Sequence, residues 1–333
     1  MGPPRASSDT SGSRISASFP RWVRMNSPRC LPRLVRRAGE RYVRSWGWGL
    51  LALLVALAPA SAAPVRPSSP RASQAQPFRL TATAAVLMDA TSGQVLFDRN
   101  PSLVWPPAST TKIMTALVAL ERGHLDTPIE ISPAAARFRI GSVLGLPAGA
   151  RIPLRDLLYA MMLSSANDVA VAVAEGIGGS VPAFAALMNE RAAQLGAAQT
   201  HFTSPHGLYD RNNVSTAYDL ALIARAAMHY FTFREIVHTR RWLFSVPGRR
   251  SRWLINHNKL LAWYPGADGV KTGYVHQSGH TLVASATRNN LRLIAVLLNP
   301  RDLWGDASRL LDYGFAHYHS ALVPSGPSAS PPP

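Results

Sequence analysis

Three short stretches of this chain carry residue types that can move protons and attack a carbonyl. Ser109-Thr110-Thr111-Lys112 sets a hydroxyl and an amine three residues apart. Ser165-Ala166-Asn167 adds a second hydroxyl and a carboxamide, and Lys271-Thr272-Gly273 a cation, a hydroxyl and a glycine. A serine hydroxyl is a weak nucleophile until a base removes its proton. Lysine is such a base only when neutral, a form that burial or a neighbouring positive charge favours. Residues three apart on a helix share a face, with Cβ atoms about 5–6 Å apart, so Lys112 can reach Ser109 within one turn. The chain holds 35 Lys and Arg residues, yet only Lys112, Lys259 and Lys271 are lysines. Guanidinium stays protonated and cannot serve as the base. A lysine kept at position 112 in an arginine-rich chain therefore marks a need for a deprotonatable amine.

Each motif alone has a plainer reading. A serine just after Pro106 and Pro107 is what a helix start looks like. Ser165, Asn167 and Asp168 before an apolar stretch are capping residues, and Gly273 fits a strand end. Their order changes the weight. The chain has one S-x-x-K and one S-x-N, and they occur in the sequence S-x-x-K, S-x-N, K-T-G, the triplet of penicillin-binding proteins and class A β-lactamases. On that reading Ser109 is the nucleophile, Lys112 its base and Ser165 a proton relay. Asn167 donates hydrogen bonds to substrate and lysine. Lys271 and Thr272 hold a terminal carboxylate, and Gly273 admits the substrate backbone close to the strand.

These residues need a scaffold. Alternation and turn residues predict a hairpin over 83–97, and helical periodicity predicts helices over 109–121, 154–163, 168–175, 181–195 and 217–230. Strands are expected at 242–246, 270–272, 280–286 and 291–298, the last two joined by Arg288-Asn289-Asn290, with a closing helix over 304–315. The fold class is α/β in the broad sense (α+β): an antiparallel sheet flanked by helices, with an inserted helical subdomain.

Composition bounds the compartment and the partners. The net charge is +17, and residues 1–62 hold ten arginines and two acidic residues. Elsewhere the basic residues are scattered, with Arg249, Arg250 and Arg252 the one tight group and no aromatic-interleaved basic motif, so nucleic-acid binding is not expected. Arginines up to Arg44, the apolar run from Gly49 to Leu57 and Ala60-Ser61-Ala62 read as a secretory signal cut near Ala62. The run is short for a membrane span. Met25 is the more natural start, which makes residues 1–24 a gene-model extension. Residues 63–78 read as a Pro/Ser-rich linker, 79–319 as the catalytic domain and 320–333 as a Pro/Ser-rich tail. Cys30, the one cysteine, precedes the cut, so the exported form has no thiol and no disulfide. The expected location is periplasmic or extracellular.

Beyond the triplet, Met88-Asp89-Ala90-Thr91-Ser92-Gly93, Pro107-Ala108, Ile113-Met114-Thr115, His206-Gly207-Leu208, Asp268-Gly269-Val270, Leu282-Val283-Ala284-Ser285-Ala286 and Leu311-Asp312-Tyr313-Gly314-Phe315 extend the match. Over about residues 80–319 the chain resembles low-molecular-mass D-alanyl-D-alanine carboxypeptidases of the penicillin-binding, β-lactamase-like superfamily. The resemblance implies that Ser109 attacks the bond between two D-alanines of a peptidoglycan stem pentapeptide, with β-lactams as acylating inhibitors and no cofactor. It implies an oxyanion hole from the backbone N–H groups of Ser109 and Tyr274; some relatives have His at the Tyr274 position. Arg301 is a further candidate for the substrate carboxylate. Relatives with a C-terminal β-domain and membrane helix extend past the point where this chain stops, so no stable membrane tether is expected. A DD-endopeptidase or transpeptidase shares these motifs. A class A β-lactamase is disfavoured because Glu175, Glu190 and Glu235 all lack an E-x-x-L-N context. A non-catalytic wall-binding module predicts a missing motif member, and none is missing. His276 and His280, four apart, suit zinc on a helix, but strand spacing sets them about 13 Å apart.

Overall fold

The computed structural model describes residues 79–319. The expected signal, linker and tail at 1–78 and 320–333 lie outside the described residues. The strands are β1 (Ala84–Asp89), β2 (Val95–Arg99), β3 (Pro128–Glu130), β4 (Arg151–Pro153), β5 (Arg241–Phe244), β6 (Arg252–Ile255), β7 (Ala267–Val275), β8 (Gly279–Arg288) and β9 (Leu291–Leu298). The helices are α1 (Lys112–Arg122), α2 (Pro133–Arg137), α3 (Leu154–Ser164), α4 (Asn167–Gly178), α5 (Val181–Gln194), α6 (Ala217–Met228), α7 (Phe231–His238), α8 (Leu260–Trp263) and α9 (Leu303–His317).

Five strands form one antiparallel sheet in the order β2-β1-β9-β8-β7. Its central strands are apolar at successive positions because both faces are covered, and side chains alternate between them. Ala84, Val86 and Met88 of β1, with Ile294, Val296 and Leu298 of β9, join the core beneath the inserted helices. Ala85 and Leu87, with Leu293, Ala295 and Leu297, join a second core beneath α9. β2 and β7 are the two edge strands of this sheet.

The insertion between β2 and β7 is helical, as expected, and α1 is its centre. Ile113, Met114, Ala116, Leu117 and Ala119 are fully buried, so apolar residues on more than one side of this helix need covering. Helices α3 to α7 supply that shell. Ser180 and Thr216 start α5 and α6 by accepting hydrogen bonds from Ala183 N and Asp219 N, the N-cap arrangement.

The differences from expectation are local. The predicted helix over 109–121 begins as a 3₁₀ turn, Ala108–Thr111, and becomes α-helical only at Lys112. The strand expected at 242–246 is β5; it pairs with β6 as a separate two-stranded hairpin and not with the main sheet. The short strands β3 and β4 and the helices α2, α7 and α8 carried too few residues to show a period. His276 lies in the turn between β7 and β8 and His280 in β8, so the two are not on one strand.

The ends of the domain are joined by a buried carboxylate. Asp306 of α9 accepts from Thr81 N, Thr81 Oγ1 and Ala82 N at 2.7–3.0 Å and pairs with Arg309 at 2.6 Å. Hydrogen bonds to charged groups contribute about 1.5–3 kcal/mol, and orphaned buried donors cost a similar amount. Asp306→Ala is therefore expected to lose roughly 2–3 kcal/mol and to lower Tm by roughly 5–10 °C, read by thermal unfolding.

Candidate active site

Ser109 sits on a turn that is wedged between two backbones. A Cβ on Gly273 of β7 would come within 2.8 Å of the Ser109 nitrogen and 3.1 Å of Ala108 Cβ. One on Gly207 would collide with the Ala108 carbonyl. Both positions need glycine because the turn fills the space that a side chain would take. Ala108 has φ of 51°, a left-handed conformation uncommon for a residue with a Cβ. Thr110 Oγ1 and Thr281 Oγ1 both donate to the Pro107 carbonyl, at 2.6 and 2.9 Å, and tie the turn to β8.

One turn on, the Lys112 side chain is fully buried. Its Nζ lies 2.9 Å from Ser109 Oγ, 2.7 Å from Asn167 Oδ1 and 2.7 Å from the His206 carbonyl oxygen. The two carbonyl oxygens can only accept. A neutral amine therefore spends both its N–H bonds on them, and its lone pair is left facing the Ser109 hydroxyl. Burial first, and then the charge of Lys271, hold the Lys112 amine well below the usual lysine range. Burial alone brings Lys271 down to about 7. Two cations this close in a dry site cannot both stay charged at low cost.

Asn167 differs from expectation. Its Nδ2 donates to the Ile140 carbonyl at 2.9 Å, so its Oδ1 turns to the lysine and accepts. It is not a donor to Lys112, because Ile140 O leaves the amide no other orientation. Its backbone N–H donates to Ser142 O at 2.7 Å. Ser165, at the break between α3 and α4, has φ of 58° and faces the same cleft.

That cleft, of about 580 Å³, is lined by Ser109, Ser165, Asn167, Thr272, Gly273 and Tyr274 among others, and its lining contains no acidic residue. Six expected residues thus meet in one place, with Lys112 buried behind Ser109. Lys271 is also buried and does not line the cleft; its Nζ donates to the Thr272 carbonyl at 2.9 Å. Arg301 is exposed and outside the lining, its backbone N–H donating to Thr81 Oγ1, while Leu303 and Trp304 just beyond it line the cleft. A larger groove of about 690 Å³ near the α6–α7 turn contains neither a serine nor a lysine.

Several contributors were not singled out from sequence. Lys259, the third lysine, and His257 line the cleft. The His206 carbonyl anchors Lys112, and its imidazole Nδ1 accepts from Leu208 N–H at 3.1 Å. Burial and then the nearby Lys112 charge hold that ring neutral, with a pKa of about 3. Asp168, read as a cap, is fully buried and accepts from Leu144 N and Gly145 N at 2.7–3.0 Å. It fixes the loop whose Ile140 and Ser142 carbonyls orient Asn167.

Comparisons with known proteins place most of the described region in one family. Residues 70–302 match the family model described as D-alanyl-D-alanine carboxypeptidase. The chain belongs to this family. The D-alanyl-D-alanine carboxypeptidase DacF of Bacillus subtilis is 35% identical over 247 residues, 72% of this chain and 63% of the relative. A D-alanyl-D-alanine carboxypeptidase of Mycobacterium tuberculosis is 36% identical, over 72% of this chain and 84% of its own length. The crystal structure of the Streptomyces K15 DD-transpeptidase superposes with a TM-score of 0.68 at 33% identity, covering 72% of this chain and 98% of that one. The fold is that of the penicillin-binding DD-peptidases.

Two outcomes follow for the family member described here. Removing the Lys271 charge favours the ammonium form of Lys112 and so raises its pKa. Lys271→Met is therefore expected to move the acid limb of the pH profile for penicillin acylation to higher pH, measured as labelling rate against pH. Asp168→Ala frees the loop behind Asn167; displacement of a catalytic group by about 1 Å can cost roughly a hundredfold in rate. A slowed acylation of about that size, with penicillin still reaching Ser109 at long times, is the expected result.

Proposed function

We propose that this protein is an exported, serine-type D-alanyl-D-alanine carboxypeptidase that trims peptidoglycan stem pentapeptides. The observation that carries the reading is the Lys112 amine, 2.9 Å from Ser109 Oγ, with two carbonyl oxygens occupying its other directions. The Ser109 proton passes to Lys112 as Oγ bonds to the carbonyl carbon of the penultimate D-alanine. The backbone N–H groups of Ser109 and Tyr274 stabilise the resulting oxyanion. The C–N bond then breaks, and the proton reaches the departing D-alanine amine by way of Ser165. Water repeats the sequence on the acyl-enzyme and frees Ser109. Thr272, with the positive charge of Lys271 behind it, attracts the substrate's terminal carboxylate. Lysine 271 acts here as a buried field and not as a direct contact, consistent with its place behind the cleft wall. A β-lactam enters as a mimic of the scissile bond and stays as a stable acyl-serine.

The lining without Asp or Glu supports an anionic substrate. Exported location follows from the substrate, which lies outside the cytoplasm, and agrees with the basic and apolar segments before Ala62.

Fluorescent penicillin labelling together with D-alanine release from a pentapeptide tests the proposal. Ser109→Ala is expected to abolish both; labelling that persists would remove Ser109 as the nucleophile. Lys112→Arg keeps the charge but supplies no base, and general-base removal costs about 10²–10⁴-fold. A near-normal rate in that variant would rule out the neutral-amine mechanism. Labelling without D-alanine release, combined with cleavage of cross-linked dimers, would instead assign a DD-endopeptidase.

A further inference from the structure

The β5–β6 hairpin stands apart from the main sheet and shows two opposite faces. Trp242, Phe244 and Leu254 turn inward, where the Trp242 ring stacks on Tyr159 of α3 at 3.8 Å. Side chains alternate along a strand, so Arg241 and Leu243 of β5 and Trp253 and Ile255 of β6 point the other way. Leu243 pairs directly opposite Trp253, and Arg241 opposite Ile255. The four side chains form one contiguous patch. Leu243, Trp253 and Ile255 are 48%, 57% and 68% exposed. The Arg241 guanidinium lies over the Trp253 ring, 4.9 Å from its centroid. Trp263, 54% exposed, lines a shallow groove with Arg240.

The hairpin segment itself carries charge of one sign; Asp156, which accepts from Trp242 Nε1 on the inward side, and Asp268 in the groove beside Trp263 are the nearby acids. Between Glu235 and Asp268 the chain has five arginines and one lysine and no acidic residue. Contiguous exposed apolar surface rimmed by charge marks an interaction site. The same chemistry disfavours two occupants. A second copy of this face would repel the first, and a hydrated acidic polymer would use the arginines but not the Leu-Trp-Ile centre. A bilayer with anionic headgroups uses both: Trp favours the interface between headgroup and acyl chain, and arginine meets lipid phosphate. Among the described residues no single helix is long and apolar enough to cross a membrane, so the contact is a peripheral one.

We propose that the outer face of the β5–β6 hairpin docks on an anionic phospholipid surface, with Leu243, Trp253 and Ile255 entering the interface and the arginines at its rim. The hairpin also touches the catalytic cleft's wall. Arg249 and Arg252 donate to the Gly145 and Leu144 carbonyls at 2.7 and 2.6 Å, on the loop whose Gly141 and Ser142 line the cleft. Docking this way holds the cleft beside the bilayer, where newly made wall precursors would emerge. The inference depends on export but not on the chemistry of Ser109, which is checked separately.

The test uses the full chain carrying Cys30→Ser and Ile255→Cys, labelled at the new thiol with an environment-sensitive fluorophore. Vesicles of phosphatidylglycerol and phosphatidylcholine are expected to raise emission severalfold, phosphatidylcholine alone much less, and high salt to weaken the effect. Adding Leu243→Ser and Trp253→Ser to the same chain is expected to raise the half-maximal lipid concentration about tenfold or more. Penicillin labelling of Ser109 must be unchanged in both chains, which reports an intact fold. Because both chains keep the same N-terminal segment, their difference reads the hairpin alone. Equal responses in the two chains, equal responses to neutral and anionic vesicles, or a full response to soluble polyglutamate would each overturn the proposal.

Discussion

The structure depends on taking one amine out of water. The Lys112 amine is held by three oxygen atoms, and a second buried lysine, Lys271, is close enough to disfavour its charge. An ammonium in such a place costs more than in solvent, so burial lowers the pKa of the side chain and favours its neutral amine. Everything near it serves that condition. Helix α1 is buried from Lys112 to Ala119, so its first residue is covered like those that follow. The close approach of β7 and the 204–208 turn, permitted by Gly273 and Gly207, packs both backbones against the turn that carries Ser109. The acidic residue that would rescue the charge is missing from the cleft lining. Asp168, the buried carboxylate of the next motif, is occupied by backbone N–H groups of a loop.

The three motifs were readable as a set because they combine residue types that only chemistry brings together. Their first pair was also readable in geometry, since three residues along a helical turn bring Lys112 to Ser109 whatever else the chain does. The contact to Asn167 spans 55 residues of sequence, and no period or spacing announces it. The orientation of that amide was misjudged for the same reason. What turns it is the Ile140 carbonyl, part of a loop with no pattern of its own. Lys271 was expected to supply positive charge for a terminal carboxylate, and the sequence does not say how deeply it is buried. In β7 the side chain is buried, with its amine donating to the Thr272 carbonyl.

At the level of elements, the long strands β8 and β9 and the helices α3, α5, α6 and α9 were legible, each with enough residues to show a face. The three-residue strands β3 and β4 pair across a 20-residue excursion and were invisible. The β5–β6 hairpin was half seen. Its first strand carries the aromatic and aliphatic residues of a core strand, yet half of them face outward, and composition alone cannot tell a buried strand from a two-faced one. Glutamates in the wrong context disfavoured a β-lactamase, and that argument needed no structure.

Strand order has one further consequence. The first strand, β1, lies in the sheet between β2 and β9, and the last helix closes on Thr81 and Ala82 through Asp306. The sheet therefore cannot be completed until residue 298 is available, and contacts of such long sequence separation form slowly. A chain arranged this way stays open while its final third is missing. The separation between first and last strands makes the sheet a product of long-range closure: without residues 291–298, β1 loses the partner strand that lies between it and β8.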